Sequence, residues 1–392
     1  MNRHWPSVKI DSLRAVTPYS LVGGPFDLNL TIRDDVADGV PVIRGSNLPA
    51  EREFEDDGFV FVADDEANAL TSNLAYPGDI IFTQRVTLGQ VGITPASARF
   101  QRYVISQSQM ESKVNEELAC SRFVYYFFRH PNTVQEIGNR SIASGVPHIN
   151  LGILKNFNVP LPPIHAQNAI VQVLSAYANL IENNRRRMAL LEESARLLYR
   201  EWFVRLRFPG HEHTPIVDGV PQGWERAPLE SALVLQRGFD LPTQDRQKGD
   251  VPIFGSTGIL GYHDKAKAMA PGVVTGRSGT LDEMHYVAED YWPLNTALWV
   301  KEFRRVTPLF ALFLLLEMDL KQFNGGATVP TLDRKSVHRV EVLIPSALML
   351  RSFDELVSDV FAQISRLSAQ NQKLRAARDL PLPRLMSGEL AV

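Results

Sequence analysis

Two loops in this sequence set an arginine among glycines and small hydroxyls: Gln84-Arg85-Val86-Thr87-Leu88-Gly89-Gln90 and Gly276-Arg277-Ser278-Gly279-Thr280-Leu281-Asp282. Loops of this make suit DNA. Backbone N–H groups and hydroxyls approach phosphates where glycine leaves room, and an arginine reaches a guanine edge with two hydrogen bonds. The candidates are Arg85, Thr87 and Gln90 in the first loop, with Arg277, Ser278 and Thr280 in the second. The same chemistry adds Arg44 and Ser46 in VIRGSNL, Arg140 and His148 around SGVPHIN, and Arg237, Thr257, His263 and Lys265 in the second half. For any one of them, an ordinary turn or surface role competes with DNA contact.

Catalytic chemistry is thinly represented. The sequence has no G-x-x-x-x-G-K-[ST] loop for a triphosphate, no G-x-G-x-x-G after a strand, no H-E-x-x-H helix for zinc and no Asp/Asn-Pro-Pro-aromatic loop. His211 and His213 flank Glu212 in a Pro/Gly connector and read as solvated linker. Asp79, Glu111 and Lys113 can be stretched into a nuclease pattern of two acids and a lysine around a metal, which keeps a stand-alone nuclease as a competitor. No catalytic or metal-ligating residue is expected otherwise. The single cysteine, Cys120, excludes an internal disulfide framework and a multi-cysteine zinc site, and is expected to be a buried small apolar residue.

The elements that must carry these loops follow from size and patterning. A chain of 392 residues, 44% hydrophobic and 22% charged, calls for two or more folded domains. No apolar run approaches the roughly 18 residues of a membrane helix, and MNRHWPSVKI lacks a signal-peptide core, so a cytoplasmic protein is expected. The net charge of −3 is no global nucleic-acid signature, but its distribution is uneven. Asp34 to Glu66 holds 11 acidic against 2 basic residues, whereas Arg85 to Pro160 holds 8 basic against 4 acidic. A solvated acidic face is one reading; the sharper one has nucleic acid meeting the later, basic part.

The chain is internally duplicated. Ser144 to Pro163 (SGVPHINLGILKNFNVPLPP) aligns without gaps with Ala327 to Ser346 (ATVPTLDRKSVHRVEVLIPS) at an offset of 183. Upstream, Tyr76 to Ile93 answers Ala270 to Val287 more loosely, and FVYYFFR answers LFALFLLL. Short β-branched runs bounded by Gly and Pro (DIIFT, VVTGR, ALWV) read as strands, and the aromatic run Phe123 to Phe128 reads as core. After each duplicated segment a heptad seam begins. The first has Ile170, Leu174, Tyr177, Ile181, Asn184, Met188, Leu191, Ala195, Leu198 and Trp202; the second has Phe353, Val357, Val360, Ile364, Leu367, Asn371 and Leu374. The two asparagines are not equivalent by the offset. An antiparallel pairing that sets Asn184 against Asn371 makes every other layer apolar, Ile181 with Leu374 through to Trp202 with Phe353. The register is then fixed by two buried amides that satisfy each other.

These residues resemble a known family, the DNA-specificity subunits of type I restriction-modification systems. The resemblance lies in VPLPPIHAQNAIVQVLSAYANLIENNRRRMALLEESARLLYREWFV, in its C-terminal counterpart IPSALMLRSFDELVSDVFAQISRLSAQNQKLRAARDLPLPRLMSGEL, and in VPIFGSTGILGYHDK, VVTGRSGT, PLNTALWV and ATVPTLDRKSV. It covers nearly the whole chain through order and duplication. It implies an α+β architecture: two repeated mixed α/β target recognition domains separated by two long helices packed as an antiparallel coiled coil. The expected divisions are 1–160, a central helix 161–205, a second domain 206–345, a C-terminal helix 346–380 and a tail 381–392. The resemblance further implies a non-catalytic subunit that reads a bipartite sequence in double-stranded DNA. Two methyltransferase subunits would dock on the helices and restriction/translocase subunits would join in the full complex. S-adenosylmethionine, ATP and magnesium would belong to those partners, with no cofactor in this chain. The second loop departs from the first: TLGQ is answered by Leu281-Asp282, without the glycine. A coiled-coil scaffold without DNA readout is the remaining alternative.

Overall fold

The computed structural model describes residues 5–25, 38–142, 146–281, 283–326 and 329–390. Asp34 and Asp35 of the acidic stretch, and Asp282 of the second loop, lie outside them. The chain divides into two units, Met1–Arg185 with Ala369–Val392, and Arg186–Ser368. Among the described residues no helix is long and apolar enough to cross a membrane.

In the first unit, strands Leu21–Gly23, Gln109–Ser112, Ile80–Thr83 and Val91–Ile93 form one antiparallel sheet in that order. A second sheet takes Val60–Val62, Val40–Ile43, Tyr103–Ile105 and Leu74–Ala75, with Val40–Ile43 parallel to Tyr103–Ile105. The central strands Val40–Ile43 and Ile80–Thr83 are buried along their length and rich in β-branched residues, as strands covered on both faces should be. Helix Ser121–Arg129 covers the first sheet, with Phe82 and Phe128 packed edge to face at 4.9 Å. Of the aromatic run only Phe127 is less than fully buried, so it is core as expected.

The second unit repeats the plan. Strands Leu233–Arg237, Ala297–Phe303, Gly272–Gly276 and Met284–Val287 form its first sheet; Gly258–His263, Val251–Gly255 and Trp292–Pro293 form the other. Its covering helix, Pro308–Glu317, is apolar on nearly every side and buried on nearly every side. The duplication is preserved to the residue near each unit's end. Helix Leu151–Lys155 recurs as Arg334–His338 and strand residue Asn158 as Glu341, both at the offset of 183, and Asn158 pairs with Lys9 as Glu341 pairs with Pro228.

The two seams form helices Ile164–Tyr199, extended by a π turn Arg200–Val204, and Ala347–Asp379. Each passes from one unit into the other. In the first unit Asn184 Nδ2 donates to Asn371 Oδ1 at 3.0 Å, and Asn371 Nδ2 donates to the carbonyl of Ile181 at 3.2 Å. In the second unit Trp202 meets Phe353 with ring centres 6.0 Å apart. The antiparallel register read from the sequence is therefore present. The expected tail holds a helix, Leu382–Ser387, whose Leu382, Leu385 and Met386 enter the first unit's core. Cys120 departs from expectation in being half-buried. It flanks the helix Ser121–Arg129, and its backbone N–H donates to Gln167 Oε1 at 2.9 Å.

Candidate nucleic-acid interface

In the first unit the loop between strands Ile80–Thr83 and Val91–Ile93 is closed on itself. Thr83 N donates to the carbonyl of Gln90 at 2.9 Å, and Thr87 Oγ1 donates to Gln90 Oε1 at 2.6 Å. Gly89 has φ +88°, and a Cβ there would sit 2.7 Å from Val134, so both backbone and space require glycine. Two other segments are drawn onto this loop. Arg85 bridges to His148 while Ile149 N donates to the Gln84 carbonyl at 3.0 Å. From the other side Gly45 comes so close that a Cβ on it would lie 3.6 Å from Gln90 Oε1 and 3.9 Å from Thr87 Oγ1. Arg44 and Ser46 flank that glycine, with Ser46 exposed and Arg44 Nη2 donating to the Gly58 carbonyl at 3.3 Å. Arg44, Ser46, Arg85, Thr87, Gln90 and His148 thus gather on one loop cluster. Arg140 is directed elsewhere: its guanidinium lies 4.4 Å above the Phe157 ring and pairs with Glu136.

The second unit builds the counterpart loop. Leu332 N donates to the Arg277 carbonyl at 2.9 Å, Ser278 bridges to Thr331, and Gly279 N donates to the Pro330 carbonyl at 2.9 Å. The Ser256-Thr257 turn approaches it, a Cβ on Gly279 lying 4.0 Å from Ser256 Oγ, and Thr257 is exposed. Arg277 Nη1 donates to the Asn295 carbonyl at 3.3 Å, Asn295 donates to Asp240, and Asp240 pairs with Arg237 at 3.1 Å. Arg237, Thr257, Arg277, Ser278 and Thr280 are so brought together or linked. His263 is not among them. It is buried, its Nδ1 accepts from Gln247 N at 3.0 Å, and its ring meets Trp292 edge-on, while Lys265 nearby is exposed.

The two loops are the same length. Phe82 pairs with Val91 at the mouth of the first, and Thr275 with Met284 at the mouth of the second, so each residue has its counterpart 193 positions on. Three further features agree with this alignment. The bridge Arg85 to His148 becomes Ser278 to Thr331, the bond to the Gln84 carbonyl becomes the bond to the Arg277 carbonyl, and the left-handed residue Val86 (φ +69°) becomes Gly279 (φ +90°). The two arginines are therefore neighbours in the shared plan and not equivalents: Arg85 corresponds to Ser278, and Arg277 to Gln84. Composition shows an arginine in each loop; only strand pairing shows that they differ by one place.

Sequence reasoning missed several polar groups here. Asn295 and Asp240 organise the second cluster, and Thr331 stands where the 183 offset carries His148, a signal that was available. Gln84 and Gln109 are buried beside the first loop, and Gln84 Oε1 and Gln109 Nε2 have no protein partner. In the described part of the acidic stretch Glu53 pairs with Arg122 at 2.8 Å, Asp64 with Arg102 at 2.6 Å, and Asp56 accepts from Arg99 N and Tyr103 Oη, while Asp38, Glu51, Asp57, Asp64 and Asp65 are exposed.

Asp79 and Glu111 do meet, but inside the protein, at 3% and 2% exposure. Burial raises both carboxyls above their ordinary range, and Glu111, which also faces the charge of Asp79, is raised well above it. Backbone N–H of Tyr76 donates to Asp79 at 2.7 Å, and Lys113 lies over the Tyr76 ring at 5.2 Å. Carboxyls so enclosed are out of reach of a phosphodiester approaching from solvent. Among the described residues no group of three or more His, Cys, Asp or Glu is arranged to hold a metal.

Residues 40–193 match the family described as the type I restriction modification DNA specificity domain. The chain is 23% identical over 355 residues to the type I restriction enzyme MjaIX specificity subunit of Methanocaldococcus jannaschii, covering 80% of this chain and 78% of that one. A 67-residue stretch, 17% of this chain and 15% of the other, is 31% identical to the HindI specificity subunit of Haemophilus influenzae. The fold is that of the S subunit of a type I restriction-modification system from M. genitalium, with a TM-score of 0.54 at 15% identity over 98% of this chain and 97% of that one. Residues 40–193 thus carry a type I restriction modification DNA specificity domain, and the chain is similar over most of its length to a type I restriction enzyme specificity subunit.

Proposed function

We propose that each unit reads one half of a bipartite sequence in double-stranded DNA, and that the chain performs no chemistry of its own. The observation that carries this reading is the loop cluster built twice on the same plan, each time with arginine and hydroxyl groups on closed, preorganised backbone. The target recognition domains are 1–160 and 206–345, with the helices between and after them as the docking surface for two methyltransferase subunits. Restriction/translocase subunits join that assembly. S-adenosylmethionine, ATP and magnesium act on those partners, and the buried Asp79–Glu111 pair serves the first unit's interior rather than a nuclease. Co-expression with the methyltransferase subunit, followed by methylome sequencing, tests the proposal. The expected result is methylation confined to one bipartite motif. Methylation without a motif, or DNA cleavage by the chain alone that is lost in Asp79→Ala, would overturn it.

A further inference from the structure

Val86 stands at a backbone position that a valine fits poorly. At φ +69° an L-residue crowds its own carbonyl, and a β-branched one does so most; the counterpart in the second unit is Gly279, which meets no such crowding. Nothing inside the protein accounts for the choice, because the Val86 side chain is 75% exposed. Strained residues held in place by surrounding bonds gather where a surface does its work. Here the Arg85–His148 bridge on one side and the Thr87–Gln90 bond on the other hold the tip in shape. The isopropyl group is therefore aimed outward from a loop whose other exposed groups are polar or cationic.

An apolar group among cations and hydroxyls has one apolar counterpart on the edges of DNA bases in the major groove, the C5 methyl of thymine. We propose that Val86 determines specificity in the first unit by packing on a thymine methyl, and that the second unit, with Gly279 in its place, makes no such contact there. This rests on the DNA-reading role proposed above.

The test uses the full chain assembled with its methyltransferase partner and duplexes bearing the motif found by methylome sequencing. Each thymine is exchanged in turn for uracil, which removes only the methyl. One exchange is expected to weaken binding by the wild-type complex about fourfold, the worth of one buried methyl-sized group. Val86→Gly should bind both duplexes alike at that position and should melt no lower than wild type, since the left-handed strain is gone. A motif without thymine, equal wild-type binding across the whole series, unchanged discrimination in Val86→Gly, or a lower melting temperature in that variant would each overturn the proposal. Absence of any sequence-specific binding would instead remove the DNA-reading role itself.

Discussion

Arg85 is the arginine whose place in the plan favours base contact, because its neighbours Val86 and Thr87 are exposed and its backbone is pinned to His148. Arg85→Ala should weaken specific DNA binding by roughly 1–3 kcal/mol if the lost contact is to a base edge, with the melting temperature unchanged. Competition binding against non-specific duplex checks it; equal specific affinity would reduce the loop to a structural turn. Arg277 occupies the place of buried Gln84 and is tied to the Asn295 carbonyl, so Arg277→Ala should lower stability as well as binding. The buried Asp79–Glu111 pair makes a different prediction, in pH. Both carboxyls are raised on folding, so their share of stability is full below the ordinary carboxylate range and falls as pH climbs through the raised value of Glu111. Glu111→Gln, which keeps a donor toward Asp79 without a titrating proton, should lose less melting temperature than wild type between pH 5 and pH 8. Equal losses would show that titration of this pair does not contribute. The clustering of Arg44, Arg85, Thr87, Gln90 and His148 was only partly legible from the sequence, as loops of like composition; that His263 is buried and Arg140 lies on Phe157 was not, because both follow from tertiary packing.

At the scale of elements, the long helices were the most legible part, and for a physical reason. A seam with one polar layer per helix has few registers that leave every other layer apolar, and the two asparagines select among them. The observed Asn184–Asn371 bond is the outcome. Asn184→Ala strands the Asn371 carbonyl oxygen in the seam and should cost about 1–3 kcal/mol, whereas replacing both asparagines with leucine should cost little or stabilise while loosening the register. Denaturant melts of the three variants separate these outcomes; a double variant as destabilised as the single one would show that the amides do more than satisfy each other. Cysteines at 184 and 371 should crosslink within one chain on oxidation. The loops were less legible. Similarity of composition suggested that Arg85 answers Arg277, but strand pairing sets the alignment one residue away, and no local pattern records where a hairpin begins to pair. The helix Leu382–Ser387 was also hidden, because Pro381 and Pro383 read as a break while its apolar side chains find a core from far upstream in the chain.

For the molecule as a whole, the two long helices are proposed to set which spacer between half-sites is accepted. The first spans 36 residues and the second 33, or about 50 Å at 1.5 Å per residue. Seven residues inserted after Arg185 and seven after Ser368 keep the seam and add about 10 Å to each helix. An active insertion variant should methylate a motif with a changed spacer and unchanged halves; an unaltered spacer would refute that role. The central claim, that each unit reads its own half, is tested most directly by exchange. Residues 1 to about 158 should be replaced by those of a relative together with residues 380–392, because Leu382, Leu385 and Met386 belong to the first unit's core. Methylome sequencing of cells carrying this chimera with its methyltransferase should show one half of the bipartite motif replaced and the other retained. A change in both halves, or in neither, would contradict the account.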